Sequence, residues 1–141
     1  MEQRQIIALI SKIRHGANEL IMRELDKQGI KGIVPSHGDI LVRLFQRDSI
    51  PMSELASAIN KKKNTVTTLV DKLVNLGYVT KSADPDDSRI TLVKLTLDGK
   101  SLQKSFDKVS GLLLETVYKG ITEKEKGAVL KVLLKMKNNL E

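Results

Sequence analysis

The chain has 141 residues, with 24 lysines and arginines against 17 acidic residues, a formal net charge of +7 and no cysteine. This length suits one domain with a single buried core and excludes two separate enzyme-sized domains. The lack of cysteine excludes disulfide frameworks, thiol catalysis, zinc fingers and iron–sulfur sites. The basic balance favours a polyanionic partner. The two phenylalanines and two tyrosines are too scattered to form a base-stacking platform for single strands.

The apolar runs of the chain are short. The longest, IIALI at residues 6–10, falls far short of the roughly 18 residues that a membrane-spanning helix requires. The N-terminus does not have the pattern of a secretory signal peptide, because its apolar stretch is interrupted by Lys12 and Arg14 and no small-residue cleavage site is present. We therefore expect a cytoplasmic protein with no membrane partner.

The first two helices are predicted from periodicity and from residues typical of helix ends. Apolar residues recur at three- and four-residue intervals over roughly residues 3–28, and Gly29 ends this first helix. Pro35 and Ser36 then open a second helix, for which Ser36 and Asp39 have the form of a capping box. Its predicted inner stripe consists of Ile40, Leu41, Leu44 and Phe45.

A short connector separates the second helix from a third. Residues 50–52 (IPM) are predicted to be extended, because proline disfavours the helical conformation of the residue before it. Ser53 is predicted to cap the third helix. The inner residues of this helix are Leu55, Ala56 and Ile59.

The segment KKKNTVTTLVDKLVNLG at residues 61–77 is the most informative part of the chain. Helical spacing predicts an inner stripe, and Gly77 ends the helix. The stripe consists of Val66, Leu69, Val70, Leu73 and Leu76. The opposite face carries Asn64, Thr68, Asp71 and Asn75, with Thr67 and Lys72 at its sides. Short polar side chains thus dominate the exposed start of this helix.

Such a face suits a helix that enters the major groove of DNA, because small side chains let the backbone approach the base edges. Asn and Thr also form hydrogen bonds to bases and phosphates. The alternative is a well-capped helix start preceded by three solvated lysines.

The residues that follow favour the DNA-binding interpretation. Residues 78–82 (YVTKS) and 89–95 (RITLVKL) are β-branched runs joined by the turn-forming loop ADPDDS. Two helices followed by a hairpin predict a winged helix-turn-helix. In such a unit the second helix lies in the major groove, and the hairpin reaches phosphates or the adjacent minor groove.

Two further helices complete the chain. Thr96 is predicted to cap a helix with a stripe of Leu102, Phe106, Val109, Leu113 and Val117. Thr122 and Glu125 form a capping box for a last helix. That helix is apolar around much of its circumference, with Val129, Leu130, Val132, Leu133, Leu134 and Leu140. Such a surface suggests burial against a second subunit, the alternative being a larger core within one chain.

The sequence resembles the MarR (multiple antibiotic resistance regulator) family of transcription factors over essentially its whole length. The resemblance rests on SELASAI, NTVTTLVDKLVNLGYV, DPDDSR and LTLDG, which follow one another in the order and at the spacing typical of the family. Two positions depart from the pattern. Ser88 stands where the first wing arginine is usual, and Thr68 stands where many members carry a basic residue.

The resemblance implies an intertwined homodimer built from both chain termini, and it implies that Asp87 orients Arg89 in the wing. A two-fold dimer in turn implies a pseudo-palindromic operator. Family members often bind anionic aromatic effectors between the dimer helices and the winged unit. His15 and His37 are candidate ligand-binding residues there, against the alternative of surface or helix-end histidines.

Together these observations predict a mainly α fold with a small β-wing, in which a winged helix-turn-helix is joined to N- and C-terminal dimerisation helices. The single domain spans 1–141, with a DNA-binding part at 35–95 and a helical dimerisation part at 1–34 and 96–141. The candidate DNA-binding residues are Lys61, Lys62, Lys63, Asn64, Thr65, Thr67, Thr68, Lys72, Ser88 and Arg89.

The predicted function is a sequence-specific regulator of double-stranded DNA, most simply a ligand-responsive repressor. The alternatives are a nucleoid-type or RNA-binding winged helix, or a winged helix that contacts only proteins. No catalytic residue, metal site or cofactor is expected, because the chain has no glycine-rich phosphate loop, His-x-x-x-His or Gly-x-Ser-x-Gly. The carboxylates Asp84, Asp86 and Asp87 do not have the spacing of a calcium loop.

Overall fold

A computed structural model of the chain describes residues 2–141. Residue 1, with which the predicted dimerisation part begins, lies outside the described residues. The elements are α1 (Gln5–Lys27), α2 (Pro35–Gln46), β1 (Ser49–Pro51), α3 (Met52–Ala58), α4 (Lys63–Asn75), β2 (Val79–Ala83), β3 (Thr91–Leu95), α5 (Leu97–Ser101), α6 (Gln103–Val117) and α7 (Glu123–Asn139). None of the helices formed by residues 2–141 combines the length and the apolar character needed to traverse a lipid bilayer. The predicted fold class, mainly α with a small β-wing, is confirmed.

The three strands form one antiparallel sheet in which β3 lies between β1 and β2. The hairpin of β2 and β3 is the predicted wing, and its register places Lys81 opposite Val93. The segment predicted as an extended connector, residues 50–52, coincides with β1 except at Met52, which begins α3. Strand β1 places Ile50 opposite Val93 on the other side of β3. The extended conformation follows from Pro51 itself, whereas the pairing joins segments about forty residues apart and needs the folded chain.

One core holds the end of α1, the winged unit and the start of α6 together. The predicted inner residues of α2, α3 and α4 are buried or partly buried, which confirms their helical periodicity. The rings of Phe45 on α2 and Phe106 on α6 meet edge to face, with centroids 5.4 Å apart. Such a pair contributes about 1 kcal/mol beyond the area it buries. It fixes α6 against the winged unit.

The start of α2 differs from the prediction. Val34, not Ser36, is the residue before the first helical turn, since Pro35 with its fixed φ occupies the first helical position. The backbone N–H of Val34 donates to Nδ1 of His37 at 2.8 Å. His37 therefore takes the role that Glu or Gln has in a capping box, and the predicted pairing of Ser36 with Asp39 is wrong.

Two other helix boundaries also differ. The third helix begins at Met52 after the extended Pro51, so Ser53 already lies inside the helix and the prediction that it caps is wrong. Thr96 does cap α5, since its hydroxyl accepts from the backbone N–H of Gly99 at 3.0 Å. The single helix predicted after Thr96 is divided at Leu102, whose N–H bonds to the carbonyl of Gly99 in a tighter turn.

The last helix projects from this core. The capping box of Thr122 and Glu125 is confirmed, with both of its reciprocal hydrogen bonds present. All residues of α7 are described by the structure, and none of them is buried. Its apolar side chains, and those of the first half of α1, lie open to solvent. These exposed residues include Ile7, Ile10, Ile13, Val129, Leu130, Val132, Leu133 and Leu134.

Candidate nucleic-acid interface

Helix α4 presents a polar face on the outside of the winged unit. Val66, Val70 and Leu73 are buried against the core, which leaves the opposite face to solvent. Exposed on that side or at its edges are Asn64, Thr65, Thr68, Lys72 and Asn75, with Thr67 and Asp71 partly exposed. The short side chains lie in the first two turns, where a recognition helix contacts base edges.

The two threonine hydroxyls of this face are turned back onto the helix. Oγ1 of Thr67 donates to the carbonyl of Lys63 at 3.0 Å, and Oγ1 of Thr68 donates to the carbonyl of Asn64 at 3.1 Å. These bonds occupy the hydroxyl protons but leave lone pairs on both oxygens free to accept hydrogen bonds. Rotation of either hydroxyl about its Cβ–Oγ1 bond would free the proton for another acceptor.

The three lysines form the entry to α4. Helix α3 ends where Asn60 adopts a left-handed conformation with φ of 55°, and the N–H of Lys61 bonds back to the carbonyl of Ala56 at 3.1 Å. This tight turn brings the run directly to the N-terminus of α4, with Lys62 just before the helix and Lys63 its first residue. All three side chains are exposed. Their charges add to the positive end of the helix dipole, which favours phosphate.

The wing tip is ordered by its carboxylates. Oδ1 of Asp84 accepts from the backbone N–H groups of Asp86 and Asp87 at 2.7 and 3.3 Å. The N–H of Asp84 bonds to the carbonyl of Ile90 at 2.9 Å and closes the loop. The Asp84 carboxylate therefore stabilises the turn, which explains why an acidic residue stands at the wing tip of a basic protein.

Asp87 also holds the wing arginine. Its two carboxylate oxygens accept from Nε and a terminal nitrogen of Arg89 at 3.0 and 2.9 Å. These hydrogen bonds hold the pKa of the Asp87 carboxyl below its ordinary value. The Arg89 side chain remains 88% exposed, and the edge of its guanidinium that Asp87 does not hold is available to a phosphate or a minor groove. The geometry agrees with the implied role of Asp87 in orienting Arg89, and the adjacent Ser88 is exposed.

A second ion pair, which the sequence did not indicate, joins the wing to α4. Nζ of Lys81 on β2 bonds to Oδ1 of Asp71 on α4. Alternation along β2 contains a signal for it, because Lys81 lies two residues after the buried Val79 and therefore on the same face of the strand. Lys81 is nonetheless exposed, so its ammonium pairs with Asp71 at the surface and not within the core.

The two histidines lie in different environments. His15 is exposed, and its Nε2 lies 3.1 Å from a carboxylate oxygen of Glu19 one turn further along α1. His37 is buried at the start of α2, where burial first and the charge of Lys72 second lower the pKa of its imidazole. Neither histidine is among the residues that line the apolar cavity between α1, α2 and α6. Among residues 2–141, no three acidic or histidine side chains form a group able to hold a metal ion.

These features define a winged helix-turn-helix protein. Residues 33–91 match the MarR family model. The chain is 30% identical over 109 residues to the HTH-type transcriptional regulator YdgJ of Bacillus subtilis (strain 168), covering 77% of this chain and 66% of that one. It is 29% identical over 105 residues to the HTH-type transcriptional repressor YetL of the same organism, covering 73% and 63%. The matches thus span just under two thirds of the length of these relatives.

A solved structure shares the fold. The Staphylococcus aureus MepR–DNA complex matches with a TM-score of 0.85 at 22% identity, covering 95% of this chain and 97% of that one. This likeness in structure shows the fold, and the family model identifies a MarR family domain at residues 33–91.

Proposed function

We propose that the protein is a homodimeric transcriptional regulator that binds a pseudo-palindromic operator in double-stranded DNA. The observation that carries this proposal is the face of α4, where short polar side chains follow directly on Lys61, Lys62 and Lys63. The guanidinium of Arg89, exposed on the neighbouring wing, supplies a second basic contact. Each subunit then reads one half-site with α4 and touches the flanking backbone or minor groove with its wing.

The roles that we propose for individual residues follow from position. The lysines at 61–63, together with Lys72 and Arg89, neutralise phosphates. Asn64, Thr65, Thr67 and Thr68 face the bases, and Ser88 lies at the wing tip against the backbone. Residues 35–95 form the DNA-binding part, and residues 1–34 and 96–141 form the dimerisation part. A regulator of operator DNA works in the cytoplasm, which is where we place the protein.

The dimer is supported by the surface of α7. Leu130, Val132, Leu133 and Leu134 are each at least 41% exposed within one chain, on a helix of which no described residue is buried. Ile7 and Ile13 in the first half of α1 are likewise more than half exposed. Apolar surfaces of this extent on two helices indicate an interface, and a second copy of the chain supplies the matching surface by two-fold symmetry.

An effector site is part of the proposal. A cavity of about 130 Å³ lies between α1, α2 and α6, large enough for one aromatic ring. Half of its twelve described lining residues are Ile21, Met22, Leu25, Phe106, Val109 and Leu113, and Asp39 is the one charged residue among the twelve. This lining favours an uncharged apolar molecule over the anionic aromatic effector that the family resemblance implies, and it does not use His15 or His37.

Such a ligand would couple the two parts of the molecule. It would touch α1 and α6, which carry the dimer surfaces, and α2, which belongs to the winged unit. A ligand that fits one spacing of the two winged units better than another shifts the dimer toward that spacing. We propose repression as the basal activity, relieved when the favoured spacing no longer matches successive major grooves.

The experiment that tests the function is selection of bound fragments from the source genome with the purified protein. We expect fragments that share a two-fold symmetric element, bound at least about a thousandfold more tightly than unrelated duplex at the same salt concentration. Binding without sequence preference would support the nucleoid-type alternative, and preference for RNA would support the RNA-binding one. Absence of salt-dependent binding to any nucleic acid would support a protein-interaction role.

A further inference from the structure

The ion pair between Asp71 and Lys81 occupies a special place in the proposed interface. Asp71 belongs to the exposed side of α4, and Lys81 belongs to β2 of the wing. Their contact therefore lies at the junction between the two elements that are proposed to touch DNA. Both side chains remain partly open to solvent, Lys81 at 35% and Asp71 at 50% exposure.

This junction must face a sugar–phosphate strand. A helix in the major groove and a wing that reaches the adjacent minor groove lie on opposite sides of one backbone, so the residues between them pass over its phosphates. A carboxylate at this place opposes binding, and an ammonium at this place favours binding to every sequence equally. The Asp71–Lys81 pair contains one such carboxylate and one such ammonium.

We infer that Asp71 is a specificity-determining residue, because it holds the Lys81 ammonium and withdraws that charge from sequence-independent attraction to phosphate. The inference rests on the proposed function. Specificity is the ratio between operator and non-operator affinity, and non-operator affinity comes almost entirely from phosphate contacts. Neutralising one lysine therefore lowers the background while the polar face of α4 remains available to the bases.

The pair persists beside DNA for an electrostatic reason. If Lys81 moved to a phosphate, it would give up one anion for another, and Asp71 would be left as an unpaired carboxylate against a polyanion. This exchange would replace the Lys81–Asp71 contact by a Lys81–phosphate contact and would add repulsion between Asp71 and the phosphates. Lys81 differs in this respect from Lys61, Lys62 and Lys63, for which the structure records no carboxylate partner among residues 2–141.

The test measures the dependence of affinity on salt concentration for a mixed-sequence duplex without a selected site. Four proteins are compared: the wild type, Asp71→Asn, Lys81→Ala and the double variant. We expect Asp71→Asn to steepen the slope of log K against log salt by about 0.9 per subunit. When salt is raised from 50 to 200 mM, the affinity of Asp71→Asn for this duplex then falls about 3.5-fold more per subunit than the affinity of the wild type does. Lys81→Ala and the double variant should keep the slope of the wild type.

The control is Asp26→Asn, which also adds one positive charge and frees a lysine, because Lys31 lies 3.8 Å from Asp26 outside residues 35–95. This variant should leave the slope unchanged. Asp71→Glu should restore the slope of the wild type, since a carboxylate one methylene further out still reaches Lys81. Urea unfolding of each variant verifies that the fold is intact, and exposed positions favour that outcome.

Two results would overturn the inference. If Lys81→Ala flattened the slope of the wild type, Lys81 would already contact phosphate and the pair would be broken in the complex. If Asp71→Asn steepened the slope equally with and without Lys81, Asp71 would act by direct repulsion and not through the lysine. A wild type with no salt-dependent binding would instead refute the proposed function.

Discussion

The carbonyl oxygen of Tyr78 lies 2.1 Å from the position that a Cβ at residue 99 would occupy, so only glycine fits there. The same oxygen accepts the backbone N–H of Thr96 at 3.0 Å, and the hydroxyl of Thr96 donates to the carbonyl of Gly77 at 2.6 Å. Thr96 and Gly99 of the LTLDG motif thus attach α5 to the end of α4 and the start of β2. This contact sets where the wing begins relative to the proposed recognition helix.

We expect Gly99→Ala to destabilise the protein by about 3 kcal/mol, because the added methyl group meets backbone atoms that cannot move aside. Denaturant unfolding measures the change. Gly111→Ala is the matched control, since no atom of residues 2–141 outside its own helix backbone lies within 4 Å of a Cβ there and the residue is inside a helix. That substitution should stabilise the protein by up to about 1 kcal/mol. Equal effects of the two changes would contradict the packing argument.

The burial of His37 should make the free energy of unfolding depend on pH. Its folded-state pKa is lowered, first by burial and second by Lys72, so the unfolded chain binds a proton at a higher pH than the folded chain does. The contribution of His37 is therefore complete above its unfolded-state pKa of about 6.5 and is lost as pH falls from there through the folded-state value. Urea midpoints measured between pH 8 and pH 5 should decline accordingly.

His37→Gln should remove this part of the pH dependence, because glutamine still accepts the N–H of Val34 but does not titrate. The control is His15→Gln, which replaces an exposed histidine on α1 and should leave the profile as it is. A profile unaltered by His37→Gln would place the acid sensitivity elsewhere.

The lysine run predicts the electrostatic part of DNA binding. Replacing Lys61, Lys62 and Lys63 together by Ala should weaken binding to all duplexes. It should also lower the salt slope by about one unit for each lysine that neutralises a phosphate. Titrations at several salt concentrations measure this. Alanine at Lys100, Lys104 and Lys108, three exposed lysines outside residues 35–95, gives a control with the same change in charge. If both triple variants behaved alike, the run would have no special role.

The threonines of α4 predict the sequence-reading part. Thr67→Ala or Thr68→Ala removes a hydroxyl from the proposed base-reading face. We expect the discrimination between bases at one base pair of the site to change by about 1 to 3 kcal/mol. Competition between selected fragments and single-base variants measures it. A loss that is uniform over all sequences would mean that α4 does not read bases.

We expect that the proposed contact between the wing and DNA can be strengthened by substitution. Ser88→Arg should tighten duplex binding and steepen the salt slope by about one unit per subunit, with a larger gain on narrow-groove A·T-rich flanks. Arg89→Ala should have the opposite effect, because it removes the guanidinium that Asp87 orients. Titration of both variants on one selected fragment is the measurement. Unchanged slopes for both would leave a wing that projects into solvent and does not touch DNA.

The apolar surface of α7 predicts the oligomeric state. Leu133→Glu puts a charge into the proposed subunit interface, so it should yield monomer or aggregate and abolish tight operator binding. Sedimentation at micromolar concentration is the measurement. Leu97→Glu makes the same chemical change at a leucine that is 84% exposed on α5, and it should remain dimeric. A monomeric wild type would remove the basis of the architecture.

The sequence by itself determined the features that depend on neighbours within a few positions. The buried face of α4 follows from apolar residues at helical spacing, which leaves Asn64 and Thr68 outside in any amphipathic arrangement. The caps at Thr96 and Thr122 were predicted correctly, because a capping hydroxyl bonds to an N–H only three residues away. The wing hairpin followed from two β-branched runs separated by a turn.

Only the tertiary structure decided the contacts between distant segments. Asp71 meets Lys81, β1 pairs with β3, and the carbonyl of Tyr78 excludes a side chain at Gly99 because the packed core brings these segments together. The same holds for His37, which the family resemblance made a ligand candidate against the alternative of a surface or helix-end residue. Its cap to Val34 is local, but its burial and the nearby charge of Lys72 come from the packing of α2 against α4. Hydrogen bonds within one turn join sequence neighbours, so they were predicted correctly at Thr96 and Thr122, although not at Ser36 and Ser53. Burial and charge pairing across the core arise only when the elements pack.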